Sequence, residues 1–467
     1  MMTTKMIVSV AACLAATLCL GDETMTRRDA ILPVIPQVRS FEADDDGAWA
    51  NVLKAKVKID KKFDRELGEE GYEMEIERDK IEIEAGGKIG LVRAKTTLAQ
   101  LKDAAKRGEK IPCGTIIDKP KYRMRGLVFD VARKFHSLDF LKRTARAMSY
   151  YKMNVLHVHL NDCTIEKNPK ADWTTKYAAF RLESEKFPEL TAKDGHYTKK
   201  EFRDFIKYCE KLGVTVIPEI DAPAHALCFD RAFGLGSEEY GKDHLDLVNK
   251  LDECVEKMTA VIAEYLTGPD PVFANRYCHI GTDEYSRAAA EQFRAYTDRM
   301  IKAVEKMGGK VCMWGSLTHA KGNTPVKASK DIIVDIWHNP YYQPQEALDA
   351  GYSLISVPDG LVYLVPQAGY YYNYLNLQHL YNNWEPNEFG QGFKIPADHP
   401  QLMGGKFAIW HDLCEKSCDE QGSWDRIFPA IQTLGQKFWT GKVEGESWDD
   451  FSKLMKVSRA DFTNAKK

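Results

Sequence analysis

An excess of charge of either sign is missing from this chain. Its 65 Lys and Arg stand against 68 Asp and Glu, a net charge of -3 at pH 7. No stretch is rich in Lys and Arg, so nothing in the charge pattern recruits a nucleic acid. Long apolar runs are missing too. The mostly apolar stretch 6–20 holds fifteen residues, short of the ~20 that cross a bilayer, so no membrane span is expected. With Lys5 before it and Gly21 and Asp22 after it, this stretch reads as a secretory signal over residues 1–21. That predicts an exported protein, periplasmic or secreted. Val10-Ala11-Ala12-Cys13 adds the variant of a lipid anchor through Cys13. Metal-type Cys-x-x-Cys spacing is absent as well. Of 11 cysteines, nine lie beyond the signal and are scattered. A chain this long needs no stapling, so they read as buried thiols, with Cys414 and Cys418 the one pair considered for a bridge.

What is present is a large apolar fraction, 44% of 467 residues, enough for a sizeable core and more than one domain. Residues 72–76 alternate apolar and polar, and so do 79–84. Period-2 alternation predicts strands with one solvated face. Gly86-Gly87 ends the pattern, and residues 94–107 then read as an amphipathic helix. Residues 22–118 therefore form a small α/β domain, with Asp118-Lys119-Pro120 as a linker.

From residue 119 to the end the texture changes. Eight short apolar runs recur, at 127–132, 155–160, 214–220, 277–281, 310–314, 332–337, 352–357 and 406–410. Helical patterns separate most of them, as at 139–151, 199–212 and 287–307. Strand–helix alternation repeated eight times predicts an α/β fold, a (β/α)8 TIM barrel. Runs without alternation fit strands buried on both faces. An open doubly wound sheet is the competing topology. It usually carries a Gly-rich first turn, which this chain lacks.

Barrel chemistry gathers where strands end. Here those ends hold Arg133, His157 and His159, Asp162, His225, Asp283 and Glu284, Trp314, Trp337 and Trp410. Asp-Glu doublets occur four times, and only Asp283-Glu284 ends a buried-strand pattern. At a strand end the chain turns, so both carboxylates can reach one cleft. The three tryptophans fit either barrel filling or a cage of flat rings stacked on sugar faces. Arg133 fits either an internal ion pair or a fork donating to vicinal hydroxyls. His157 and His159 share one strand face, and with His225 or His279 they would suit a metal-dependent amidohydrolase, a rival class. The bland alternative is barrel histidines satisfied by their neighbours.

These residues resemble the β-N-acetylhexosaminidases of glycoside hydrolase family 20. The resemblance covers roughly residues 60–440. It rests on Arg125-Gly126-Leu127-Val128-Phe129-Asp130-Val131-Ala132-Arg133, Asn154-Val155-Leu156-His157-Val158-His159-Leu160-Asn161-Asp162, Ile217-Pro218-Glu219-Ile220-Asp221-Ala222-Pro223-Ala224-His225 and His279-Ile280-Gly281-Thr282-Asp283-Glu284. The alternating segment 72–101 resembles the small domain that precedes the barrel in that family. The resemblance implies an exo-acting glycosidase that uses the substrate's own 2-acetamido oxygen as nucleophile, with no cofactor and no metal. In that scheme Glu284 is the general acid, with a raised pKa, and Asp283 holds the acetamide N–H beside the positive intermediate. Asp162 and His225 support the acid, and Arg133 grips ring hydroxyls. Trp314, Trp337 and Trp410 wall the site. Tyr374 and Asn376, read as the family's Tyr-Leu-Asp, bind the acetamide and a hydroxyl, and Asp412 contacts the hydroxyls.

The sequence departs from the family pattern in three places: Thr282 replaces a usual glycine, Val158 a frequent tryptophan, and Asn376 an aspartate. The last leaves gluco or galacto preference open. The aromatic run 369–374 suits either an added sugar subsite, as in a disaccharide-releasing enzyme, or loop packing. A glycan-binding barrel without catalysis is a third reading, against which the intact Asp283-Glu284 pair argues. The partner expected is a glycan ending in N-acetylhexosamine; oligomeric state is not legible in the sequence.

Overall fold

The computed structural model describes residues 31–463, apart from 46, 328 and 330. The signal over 1–21, the anchor at Cys13 and the first residues of the small domain lie outside the described residues. Among the described residues no helix is long and apolar enough to cross a membrane.

The small domain is a five-stranded sheet in the order Ser40–Ala43, Gly114–Asp118, Tyr72–Ile76, Lys80–Ala85, Lys56–Phe63. Its two alternating strands pair antiparallel, Met74 opposite Ile83. Tyr72, Met74, Ile76, Ile81 and Ile83 all turn to one buried face, where the helix Lys88–Lys106 covers them with Ala94, Leu98 and Leu101. The helix begins six residues before the periodicity predicted it, because Gly87 serves as an N-cap without a side chain.

Eight parallel strands form the barrel: Met124–Asp130, Val155–His159, Thr215–Ala222, Tyr277–Gly281, Lys310–Trp314, Ile333–Ile336, Ser353–Ser356 and Leu402–Ile409. Each pairs with the next in sequence, and the eighth closes on the first through Gly404 opposite Met124. All eight apolar runs fall on these strands. Burial on both faces is why they carry no alternation. Helices Leu138–Tyr150, Lys199–Lys211, Leu251–Leu266 and Ala290–Lys306 follow the first four strands on the outside. Their N-caps follow local chemistry: Ser137 accepts from Phe140 N, and Thr198 with Glu201 forms a capping box. Among the described residues no helix lies between the fifth and sixth strands.

The two domains share a buried ionic seam. Glu70 receives Arg93 at 2.9 Å and Arg125 at 2.6 Å, both guanidinium side chains being fully buried. Asp118 receives Lys152 at 2.6 Å and the Trp439 indole N–H at 2.8 Å. Asp118 thus belongs to this seam, and Lys121 N donates to Trp439 O just beyond it. Cys414 and Cys418 are both free, as are the other described cysteines.

Candidate active site

Register sets the site. Asp130, His159, Glu219 and His279 lie opposite one another on the first four barrel strands. They form one inward layer, and the chain leaves each strand just above it. At the fourth strand end the backbone turns sharply: Gly281, Thr282 and Glu284 have φ of 68°, 73° and 42°. Left-handed conformations are rare for non-glycine residues, and for β-branched threonine they are strained. Their effect is to bring Asp283 and Glu284 to the same mouth, although adjacent residues of a regular strand face opposite ways. Gly281 is obligatory: a Cβ there would sit 1.6 Å from Asp221 Oδ1.

Four predicted residues form one hydrogen-bonded line. Glu284 Oε2 lies 3.2 Å from His225 Nε2, and His225 Nδ1 lies 3.0 Å from Asp162 Oδ1. Asp162 Oδ2 meets Arg133 Nη2 at 2.7 Å and His159 Nε2 at 2.7 Å. Burial opposes charge on Asp162, but Arg133 and His225 hold it well below the usual carboxylate range. Burial likewise opposes charge on His225, and Asp162 and Asp283 hold it well above the usual imidazole range. Its ring is therefore an imidazolium donating to carboxylates on both sides.

The two carboxylates of the doublet differ in environment. Burial pushes Asp283 up to about 6; the His225 charge opposes this and the Glu284 charge adds to it. Glu284 shifts the other way. Burial raises it, yet the hydrogen bond from His225 and the charges of His225 and Arg133 together outweigh burial and hold it below its ordinary value. The expectation of a raised Glu284 is thus not met in the free enzyme. The reason is geometric: its side chain is 46% exposed and rests on a cation. A ligand that covered this carboxyl would remove water from it and shift it upward.

The aromatic wall is partly as expected. Trp314 and Trp410 are neighbours, with centroids 5.9 Å apart, and Trp410 stands edge-on to His159. Trp337 packs on Tyr341 at 4.6 Å. The indole N–H groups of Trp337 and Trp410, and Asp283 Oδ1, are buried without a hydrogen-bond partner in the protein. Buried polar atoms are rarely left so, and here they belong to residues at the mouth. Asp412 is also at the rim, 3.4 Å from Arg133 and accepting from the Tyr370 hydroxyl at 2.7 Å. Arg133 answers to both of its readings: it sits at the mouth, yet it is bound to Asp130, Asp162, Asp412 and Cys163 O.

Tyr374 and Asn376 are not brought into this group. The Tyr374 ring is 54% exposed and lies over the Arg426 guanidinium, while the Asn376 side chain caps the helix Leu377–Asn383. The tyrosine beside the site is Tyr363. It follows the seventh strand, pairs with Ala408, and packs on Trp410 at 5.7 Å. Burial raises its pKa, and the Asp283 charge adds to the rise. In sequence it opens Tyr363-Leu364-Val365, eleven residues before the Tyr374 to which the aromatic run drew attention. Tyr370 and Tyr371 of that run do reach the rim, donating to Asp412 and Asp359.

Two carboxylates received no role in the sequence reading. Glu219 and Asp221 are two apart on the third strand, so both face inward. That spacing was the available signal. Asp221 lies beside Asp283 and His225, ligand-type atoms of the three being within 4.8 Å of one another. Both its oxygens lack hydrogen-bond partners, and burial, with the Asp283 charge, raises its pKa well above the usual range.

The metal reading loses its best residues. His157, His279 and Asp335 do converge within 4.8 Å. Lys406 Nζ stands among them, 2.6 Å from Asp335 and 3.3 Å from His157 Nδ1. An ammonium already supplies the positive charge at those donors.

Comparison with known proteins accords with this geometry. The model of the glycosyl hydrolase family 20 catalytic domain matches residues 122–293 and 286–442, and the model of that family's domain 2 matches 38–119. The chain belongs to glycosyl hydrolase family 20. Among curated relatives, the lacto-N-biosidase of Bifidobacterium bifidum is 25% identical over 416 residues, spanning 82% of this chain and 34% of its own length. The β-N-acetylhexosaminidase of Cellulomonas fimi is 25% identical over 415 residues, 83% of this chain and 78% of that one. This chain therefore spans about a third of the biosidase and most of the Cellulomonas enzyme. Among solved structures, a β-N-acetylhexosaminidase superposes with a TM-score of 0.73 at 23% identity, covering 92% of this chain and 94% of its own. That of Bacteroides fragilis gives 0.70 at 20% identity, covering 90% and 93%. At such identities the superpositions establish the fold. The domain 2 match coincides with the five-stranded sheet.

Proposed function

We propose that this family 20 enzyme releases terminal β-linked N-acetylhexosamine from glycans by substrate-assisted, retaining catalysis. The observation that carries the proposal is the pair of strand-end carboxylates in unlike settings. Glu284 is exposed and hydrogen-bonded to His225, and Asp283 is largely covered, its Oδ1 buried and unpartnered. In this reading the acetamido oxygen of the substrate attacks its own anomeric carbon. Glu284 protonates the leaving oxygen, then takes a proton from the incoming water. Asp283 accepts the acetamide N–H and faces the positive charge that develops, the inverse of an oxyanion hole. The His225–Asp162 line orients Glu284. Trp314, Trp410 and Tyr363 enclose the acetamide, and Arg133 and Asp412 meet ring hydroxyls. No step calls on a cofactor. The apolar stretch 6–20 supports work outside the cytoplasm.

A second reading, release of a disaccharide, is favoured by one structural feature and one relative. Tyr370 is 54% exposed yet tied to Asp412 at the rim, where it offers a flat face to a further sugar. One relative is named lacto-N-biosidase. The test is hydrolysis of chromogenic β-N-acetylglucosaminide, its galacto epimer and a β-linked disaccharide glycoside, by wild type and Glu284→Gln, with and without chelator. Chelator-resistant release of a single sugar, lost in Glu284→Gln, supports the first reading. Release from the disaccharide glycoside alone moves the reading to the second, and loss on chelation to a metal hydrolase.

A further inference from the structure

We propose that Glu219, fully buried beneath the site, is a positioning residue that holds both halves of the catalytic machinery with one carboxylate. The inference rests on the function proposed above. Glu219 Oε1 accepts the indole N–H of Trp314 at 2.5 Å, and Oε2 accepts from His159 Nδ1 at 2.5 Å. Trp314 is a wall of the acetamide enclosure. The other nitrogen of His159 donates to Asp162 at 2.7 Å, and Asp162 leads through His225 to Glu284. One oxygen therefore fixes the nucleophile's enclosure, and the other fixes the acid's support.

The chemistry of each contact demands a carboxylate. His159 lies between the acceptors of Glu219 and Asp162, so both its nitrogens must carry protons. Burial works against that charge, but Glu219 and Asp162 hold the ring protonated well above the usual imidazole range. Four side chains bring nitrogens to Glu219: besides Trp314 and His159, His157 Nε2 lies at 3.1 Å and His279 Nδ1 at 3.2 Å. A carboxamide turns an N–H2 toward one side of this ring of nitrogens and cannot accept on both. Beneath, Asp335 and Lys406 form a 2.6 Å ion pair facing His157 and His279, which closes the polar column. A buried polar network of this kind fixes geometry more than it adds stability.

The two halves separate experimentally. Release from a nitrophenyl glycoside needs little acid help, whereas release from a β-linked disaccharide with an alkoxide leaving group needs it fully. A thiazoline analogue of the bicyclic intermediate reads the acetamide enclosure. In Glu219→Gln, kcat/KM on the disaccharide is expected to fall roughly tenfold to a hundredfold further than on the nitrophenyl glycoside, and thiazoline affinity roughly tenfold. His159→Asn, which keeps a donor toward Glu219 and loses the one toward Asp162, should show only the leaving-group effect. Trp314→Phe should show only the loss of thiazoline affinity. A reduced fraction of folded enzyme moves neither ratio. If Glu219→Gln fails to fold, the two single-arm variants still decide the matter, because parallel losses in both would overturn the proposal. So would a folded Glu219→Gln with both ratios unchanged. Failure of the functional reading looks different: wild type itself then releases no N-acetylhexosamine, and this inference falls with it.

Discussion

At the residue scale the proposed mechanism gives unlike tasks to two adjacent acids. Asp283 titrates near 6 because burial outweighs the attraction of His225. A carboxyl raised in this way is ionised only above that pH, and the proposed mechanism needs it ionised. The expected outcome is a kcat/KM profile whose acidic limb rises through about pH 6 in the free enzyme. Asp283→Asn should lack that limb and be slow throughout. Glu284→Gln should lose roughly 10²- to 10⁴-fold on a poor leaving group, the usual worth of a positioned acid. Steady-state rates on the disaccharide measure it. Much of this was legible in the sequence, since strand-end positions exposed Arg133, Asp162, His225, Asp283 and Glu284. Tyr363 was not, because the aromatic run 369–374 offered a louder Tyr-Leu pair nearby. Its partner residue Asn376 proved to be a helix cap. Loop sequence states composition, whereas the strand that a loop residue pairs with is a tertiary fact.

At the element scale the decisive feature is the end of the fourth strand. Three left-handed residues in four turn a strand into a platform for two acids. Gly281→Ala should therefore disable the enzyme as well as weaken it. The new methyl meets Asp221 Oδ1 at 1.6 Å and must displace that carboxyl or the strand end. A loss of roughly 2–5 kcal/mol is expected from overpacking and strain together, with activity falling alongside. Gly308→Ala is the matched comparison. Its φ of 75° is also left-handed, but open space surrounds it, so only the conformational penalty of about 1 kcal/mol remains and activity holds. Thermal melts and rates on the two variants check this. The barrel strands were readable because burial on both faces removes alternation. What lies inside them was less so: Glu219 and Asp221 sit in a strand whose apolar run hid their inward spacing.

At the scale of the whole molecule the small domain is part of the barrel's foundation. Glu70 holds two arginines that are fully buried, one from each domain. Burial raises its pKa, but Arg125 and Arg93 overcome this and lower it to about 2. A carboxyl whose folded pKa is depressed stabilises the fold fully above its unfolded value of about 4.5. That stabilisation fades as pH falls toward 2. Glu70→Gln should cost about 3–5 kcal/mol at neutral pH, because it strands two buried cations. In denaturant titrations the gap between wild type and variant should narrow as pH drops from 4.5 toward 2; a constant gap would mean that Glu70 acts through packing. The sequence showed the alternating strands of the first part. It could not show this seam, whose partners Glu70, Arg93 and Arg125 are unremarkable charges until the fold buries them.

In the proposed mechanism the substrate's own acetamide is the nucleophile, held by Asp283 while Glu284 works as acid. The most direct measurement is kcat/KM on nitrophenyl glycosides whose N-acetyl group carries zero, one, two or three fluorines. Fluorine drains the acyl oxygen of electrons and changes little else near the leaving group. A nucleophilic acetamide gives a steep, monotonic fall along the series in wild type. A flat series with full activity would contradict it and require an enzyme nucleophile or an activated water in place of the acetamide.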